Sequence, residues 1–218
     1  LGVGETGLIA LNESETWISE PGLVAELTTP GSEADAMVWP TIIKRAYDES
    51  ELNWTFISTF ILSTLLAGIA IITDSQILTV GAMVLGPEFG AVVALALALV
   101  RRRPHLFALA ARALAMGFVV STLTTALVTK LGSVMGWLSA SSIRANRQAT
   151  SFIYHPDRWS LAVALIAGIV GVLALTSSRT GGLSGVFISV TTIPAAANIG
   201  VALALGEWDE IRLSLIHI

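Results

Sequence analysis

The stretch Gly81–Leu99, GAMVLGPEFGAVVALALAL, decides how the chain folds. It is apolar for long enough to sit in a membrane, yet it carries a proline and a carboxylate, Pro87 and Glu88, near its middle. A proline inside a helix removes one backbone hydrogen bond and clashes with the preceding turn. In hydrocarbon the freed carbonyl has no water to turn to, so an interrupted helix survives there only when packed in protein or lining a wet cavity. The stretch therefore predicts a broken span over about 77–100, with its break at Gly86-Pro87.

A second stretch repeats the pattern. Gly185–Leu205, GVFISVTTIPAAANIGVALAL, is again apolar, again Ala- and Leu-rich after a mid-span proline, here Pro194. Each stretch is preceded by an apolar run containing Ala-Gly-Ile, at Ala67-Gly68-Ile69 and Ala167-Gly168-Ile169. The unit thus recurs about 100 residues apart, and repeat units of three spans insert with opposite orientation. The reading is an inverted 3+3 repeat, with a sixth span expected after residue 206 in the complete protein.

Working outward, apolar runs at about 54–73, 77–100, 106–131, 159–176 and 183–206 are each long enough for a bilayer core of roughly 30 Å. Trp54, Trp137, Trp159 and Trp208 fall near their ends, where an amphipathic indole is favoured. With 54% hydrophobic and 13% charged residues and a mean hydropathy of +0.76, the chain is expected to be an all-α, multi-pass membrane protein. It has no cysteine, which excludes disulfide scaffolds, thiolate nucleophiles and cysteine-ligated metals.

The net charge of −4 conceals two materials: residues 1–51 carry −8 and residues 52–218 carry +4. Residues 1–35 are polar, with turn-formers at Pro21-Gly22 and Pro30-Gly31 and one candidate strand at Leu8–Leu11. They read as the end of a soluble α/β domain, followed by a connecting helix over 36–53 and a transmembrane domain over 54–212. The final hexapeptide, 213–218, is too short to cross and reads as a truncated tail of no functional weight. Lys44, Arg45, Arg101, Arg102, Arg103 and Arg179 lie in or beside short loops on one side, which places the acidic N-terminal segment in the cytoplasm of a bacterial inner membrane.

The candidate site is built from Gly86, Pro87, Glu88, Thr191, Thr192, Pro194 and Asn198, at the two breaks. After each proline a half-helix can begin, with its positive dipole end near the midplane. Glu88 must there be protonated, paired or hydrated. It is either a coupling carboxylate beside a solute cavity or a helix-restart residue held by backbone amides. Arg112 lies nearer the cytoplasmic surface and is expected to snorkel rather than pair with Glu88. The breaks can also be plain kinks healed by Ser189, Thr191 and Thr192 hydroxyls. Asp74-Ser75 reads as a turn cap in preference to an external cation site. Arg144 and Arg147 read as a solvated face in preference to an anion site, and the isolated His105, His155 and His217 have no metal-ligand spacing. No hydrolase, phosphate-loop or dinucleotide motif occurs, and the polar segment is acidic, so neither an enzyme, a cofactor nor nucleic-acid binding is expected.

The runs Asp74–Gly90, DSQILTVGAMVLGPEFG, Leu175–Ser178, LTSS, and Gly185–Ala195, GVFISVTTIPA, resemble the bacterial "uncharacterised hydrophobic domain" membrane proteins, domain of unknown function 389, in their actinobacterial-type branch. The resemblance covers nearly the whole chain. It implies a cytoplasmic α/β domain, whose last strand region would match Gly7 to about Ile18, followed by about six spans. It implies no established activity, and it implies an apolar residue in place of Glu88 in many members. The function expected is a transporter or channel-like protein for a small solute or ion. The rival is a membrane sensor or scaffold whose soluble domain binds a ligand or partner. The partners expected are the bilayer, the solute and, compatibly with the small-residue pairs, a second copy of the chain.

Overall fold

The computed structural model describes residues 39–138, 149–150, 153, 158–176 and 192–217. The chain divides into two compact units, Leu1–Ala36 and Met37–Ile218. The first unit, with the expected strand at Leu8–Leu11, lies outside the described residues, as do 183–191 of the last apolar run. Everything else in this section concerns the second unit, which among the described residues is helical throughout with no strand.

The connecting helix is shorter than its expected 36–53. Helix α1 spans Trp39–Glu49 and stops because Ser50 turns its hydroxyl back onto the Ala46 carbonyl, 2.7 Å, while Asn53 caps the next helix by accepting from the Phe56 amide, also 2.7 Å. That helix, α2, runs Trp54–Ile72. Its buried residues, Phe56, Phe60, Ser63, Thr64, Ala67 and Ile71, recur at helical spacing and form one stripe. The hydroxyls in the stripe are tolerated because Ser63 and Thr64 both donate to the Phe60 carbonyl, at 3.0 and 2.7 Å.

A tight turn follows, with Asp74 in the left-handed region at φ +49 and Ser75 capping α3, Gln76–Leu85. Helix α4, Glu88–Val100, then leaves at 55° to α3. The expected break at Gly86-Pro87 is therefore present. Helix α5, Pro104–Val134, is 31 residues long and uses Pro104 at its first position, where the missing amide costs nothing. Helices α6, Arg158–Thr176, α7, Thr192–Leu205, and α8, Trp208–Ser214, complete the set with a final 3-10 turn at Leu215–His217.

Among the described residues two helices, α2 and α5, are long and apolar enough to cross a membrane, and the bent pair α3–α4 makes a third crossing if it counts as one span. Helix α7 is described over Thr192–Leu205, and the part of its apolar run before Thr192 lies outside the described residues. The segment 213–218, expected to be a tail, instead supplies the end of α8, whose Ser214 is buried.

Helix α5 is the post on which the others hang. Its buried face, Leu106, Ala110, Ala113, Gly117, Ser121, Thr125 and Thr129, is made mostly of small residues that admit close packing. Helix α2 climbs it in the same sense: Phe60 meets Phe118 edge to face at 4.9 Å and fills the space over Gly117, while Gly68 lies against Thr125. Helix α4 packs Ala94 and Ala98 against Leu106 and Ala110, near the start of α5. Helix α7 packs further along, with the Thr122 hydroxyl on the Ala196 carbonyl at 3.4 Å and Gly200 against Thr122 and Thr125. On the outer faces Leu62, Ile69, Val119, Leu123, Leu127 and Leu131 are exposed, as hydrocarbon-facing side chains would be.

Candidate functional site

The site begins at the break. Pro87 offers no amide, so the α3 ladder ends with the Gly86 amide on the Met83 carbonyl, 3.4 Å, and Gly86 itself turns extended at ψ 132. Glu88 is consequently the first residue of α4, at the positive end of that helix, with equal lengths of the bent pair on either side. Its side chain is only 2% exposed and curls back across the break: a Cβ built on Gly86 would overlap Glu88 Oε2 and stand 2.8 Å from Ile193 Cγ1. Glycine at 86 therefore leaves the space that the carboxylate occupies.

The second break arrives at the same point. Thr192, first residue of α7, donates its hydroxyl to Glu88 Oε1 at 3.2 Å, across 104 residues of sequence, and Ile193 packs beside Gly86. From this junction α4 runs towards the start of α5 and α7 runs towards its end, so the two helices depart from one carboxylate in opposite senses. Glu88 Oε2 is buried and has no hydrogen-bond partner among the described residues. Arg112 is exposed and does not reach it.

Of the expected site residues, Gly86, Pro87, Glu88, Thr192 and Pro194 thus share one neighbourhood. Thr191 lies outside the described residues. Asn198 stands six residues beyond Thr192, about 9 Å along the helix, and donates to Ser214 Oγ at 2.9 Å. It ties α8 to α7 and is set apart from the carboxylate.

Two residues stand out that the sequence reading did not single out. Glu49, at the end of α1, lies over Gly90 in the first turn of α4, where a Cβ would overlap its Oε2. Burial pushes its carboxyl above the usual carboxylate range, against the pull of Arg45, which pairs with it at 3.7 Å. The available signals were Gly90 and the Arg45–Glu49 spacing. Thr122 is the other, holding α7 to α5 through the Ala196 carbonyl. Asp74, read as a turn residue, does more than turn the chain: its carboxylate accepts from the Ala149 amide at 3.3 Å, the Thr150 amide at 3.0 Å and the Thr150 hydroxyl at 2.8 Å. That clamp sets beside the bundle a segment whose Ile153 is buried with Ile71, Ala82 and Ile193.

Fold and site together define an apolar helical protein with helices able to span a membrane, in which a bent helix pair carries a buried carboxylate that meets Thr192 of α7. Residues 83–218, more than half of the chain and both breaks, match the family model described as Domain of unknown function (DUF389), and the chain belongs to that family. The match carries the family expected from the residues and does not carry the actinobacterial branch. An uncharacterised protein of the archaeon Methanocaldococcus jannaschii is 26% identical over 185 residues, covering 84% of this chain and 55% of its own length. The chain thus spans about half the length of this curated relative. No solved structure matches.

Proposed function

We propose that the chain is the membrane part of a transporter or channel-like protein for a small solute or ion, with its site at the junction of the two broken helices. The observation that carries this reading is the Thr192–Glu88 hydrogen bond, which joins the breaks at a carboxylate buried midway along a bent span. A buried acid in a span is costly and marks an ion or substrate pathway more often than a structural one. The opposite departures of α4 and α7 support an inverted 3+3 repeat, in which α3–α4 and 183–206 are the equivalent broken spans and the complete protein has six. In this reading the five apolar runs all cross a bacterial inner membrane, residues 1–35 are the cytoplasmic end of an α/β domain, and the protein binds no nucleic acid and catalyses no covalent chemistry.

A transport site must be reached by water, whereas a kink healed by packing need not be. These 218 residues hold no cysteine, so Thr192→Cys gives the membrane part a single thiol, and any cysteine elsewhere in the complete protein is first replaced by serine. In proteoliposomes of the complete protein, a small membrane-impermeant thiosulfonate is expected to modify Cys-substituted position 192 from one side of the bilayer, and a cysteine placed at exposed Leu127 on the hydrocarbon face is expected to stay unmodified. Absence of modification at 192 from either side would leave the junction dry and remove this reading.

A further inference from the structure

We infer that the junction holds an alkali-metal cation of the sodium class on Glu88 Oε2. This deepens the midplane-site reading and rests on it. The first support is charge. Glu88 is almost wholly buried, Arg112 is exposed, and the Arg45–Glu49 ion pair lies on α1, away from it. An ionised carboxylate at this depth needs a positive partner.

The second support is the disposition of oxygens. Glu88 Oε1 is engaged by the Thr192 hydroxyl, while Oε2 has no partner among the described residues and folds back over Gly86. That direction leads to the C-terminal end of α3, where the last helix carbonyls lose their ladder partners because Pro87 has no amide and α4 starts afresh. The end of α3 also carries that helix's negative pole. The unpartnered carboxylate oxygen therefore lies beside Gly86 at the end of α3, with the Thr192 hydroxyl on the other oxygen of the same carboxylate.

The third support is ligand count. Among the described residues no three His, Asp or Glu side chains are grouped as a metal site, so the set offers one full negative charge. A divalent ion draws on several carboxylates or on bound phosphate, and softer metals need imidazole or thiolate. One carboxylate with neutral oxygens matches a monovalent alkali ion, and half-helix C-termini with unwound carbonyls are the usual membrane means of holding one.

The test is binding to the detergent-purified complete protein, read by thermal unfolding and by isothermal calorimetry in sodium chloride against choline chloride at one ionic strength and one pH. Sodium is expected to raise the unfolding temperature saturably, choline not at all. Glu88→Gln should abolish the shift, and Thr192→Val should weaken the apparent affinity by about tenfold, which keeps the test open if the Gln variant does not fold. Glu51→Gln, at an exposed position outside the site, should bind as the unsubstituted protein does. Equal unfolding temperatures in sodium and choline, a sodium shift that survives both Glu88→Gln and Thr192→Val, or a response to pH alone would overturn the cation site. Flux without sodium binding would remove the cation and leave the transport reading. Sodium binding without flux would do the reverse.

Discussion

At the scale of single residues, Gly86 and Glu88 form one unit. Gly86 is needed because the carboxylate lies where a side chain would be, and because Ile193 closes the other side at 2.8 Å. Gly86→Ala is accordingly expected to lower stability by about 1–3 kcal/mol, the usual cost of overpacking a closed site. Gly81→Ala, on the same helix but with open space around it, should be neutral or slightly stabilising. Melting of the two variants side by side in detergent checks this, and equal losses would mean that the space at Gly86 has no special importance. Glu49 gives a pH signature. Burial raises its carboxyl in the folded state above the value of the unfolded chain, so the folded state holds the proton more tightly. The stability linked to that proton is complete below the ordinary carboxylate range and is lost as pH rises through the raised value. Glu49→Gln should flatten that part of the stability-against-pH curve, with no change expected at alkaline pH from loss of the Arg45 pair alone.

At the scale of elements, the bend in α3–α4 was legible because proline acts locally: it breaks the ladder wherever it falls, and position 87 falls in the middle of an apolar run. The limits of α2 were legible to within a residue, 54–73 expected and Trp54–Ile72 found, whereas α5 runs Pro104–Val134 where about 106–131 was expected, its ends extending past the apolar run. What was not legible were contacts made across the sequence. Nothing near Asp74 announces that its carboxylate will accept three hydrogen bonds from residues 75 and 76 positions away, nor does anything near Gly90 announce Glu49. Nothing near Asn198 announces its hydrogen bond to Ser214, 16 residues on. The Asp74 clamp makes a prediction of its own. Asp74→Ala is expected to cost about 1–3 kcal/mol by leaving its partners unmet, and amide exchange at Ala149 and Thr150 should accelerate while exchange along α5 does not. Unchanged exchange at those two amides would show that the segment holds its place without Asp74.

At the scale of the whole molecule, membership of the DUF389 family sets the frame, and the proposed function rests on the meeting of the bent α3–α4 pair with α7. One face of the α5 post receives α4 and α7 from a common starting point, and that point is where the chain has placed its buried acid. The central claim is therefore that passage of a small solute or ion runs through Glu88. Efflux of entrapped radiolabelled sodium, potassium, chloride and phosphate from liposomes containing the complete protein tests it most directly. At least one of these ions is predicted to leave faster than from protein-free liposomes, and Glu88→Gln, checked by melting to be folded, to slow it by about tenfold or more while Glu51→Gln leaves it unchanged. Efflux no faster than from protein-free liposomes, or identical with and without the Glu88 carboxylate, would contradict the account.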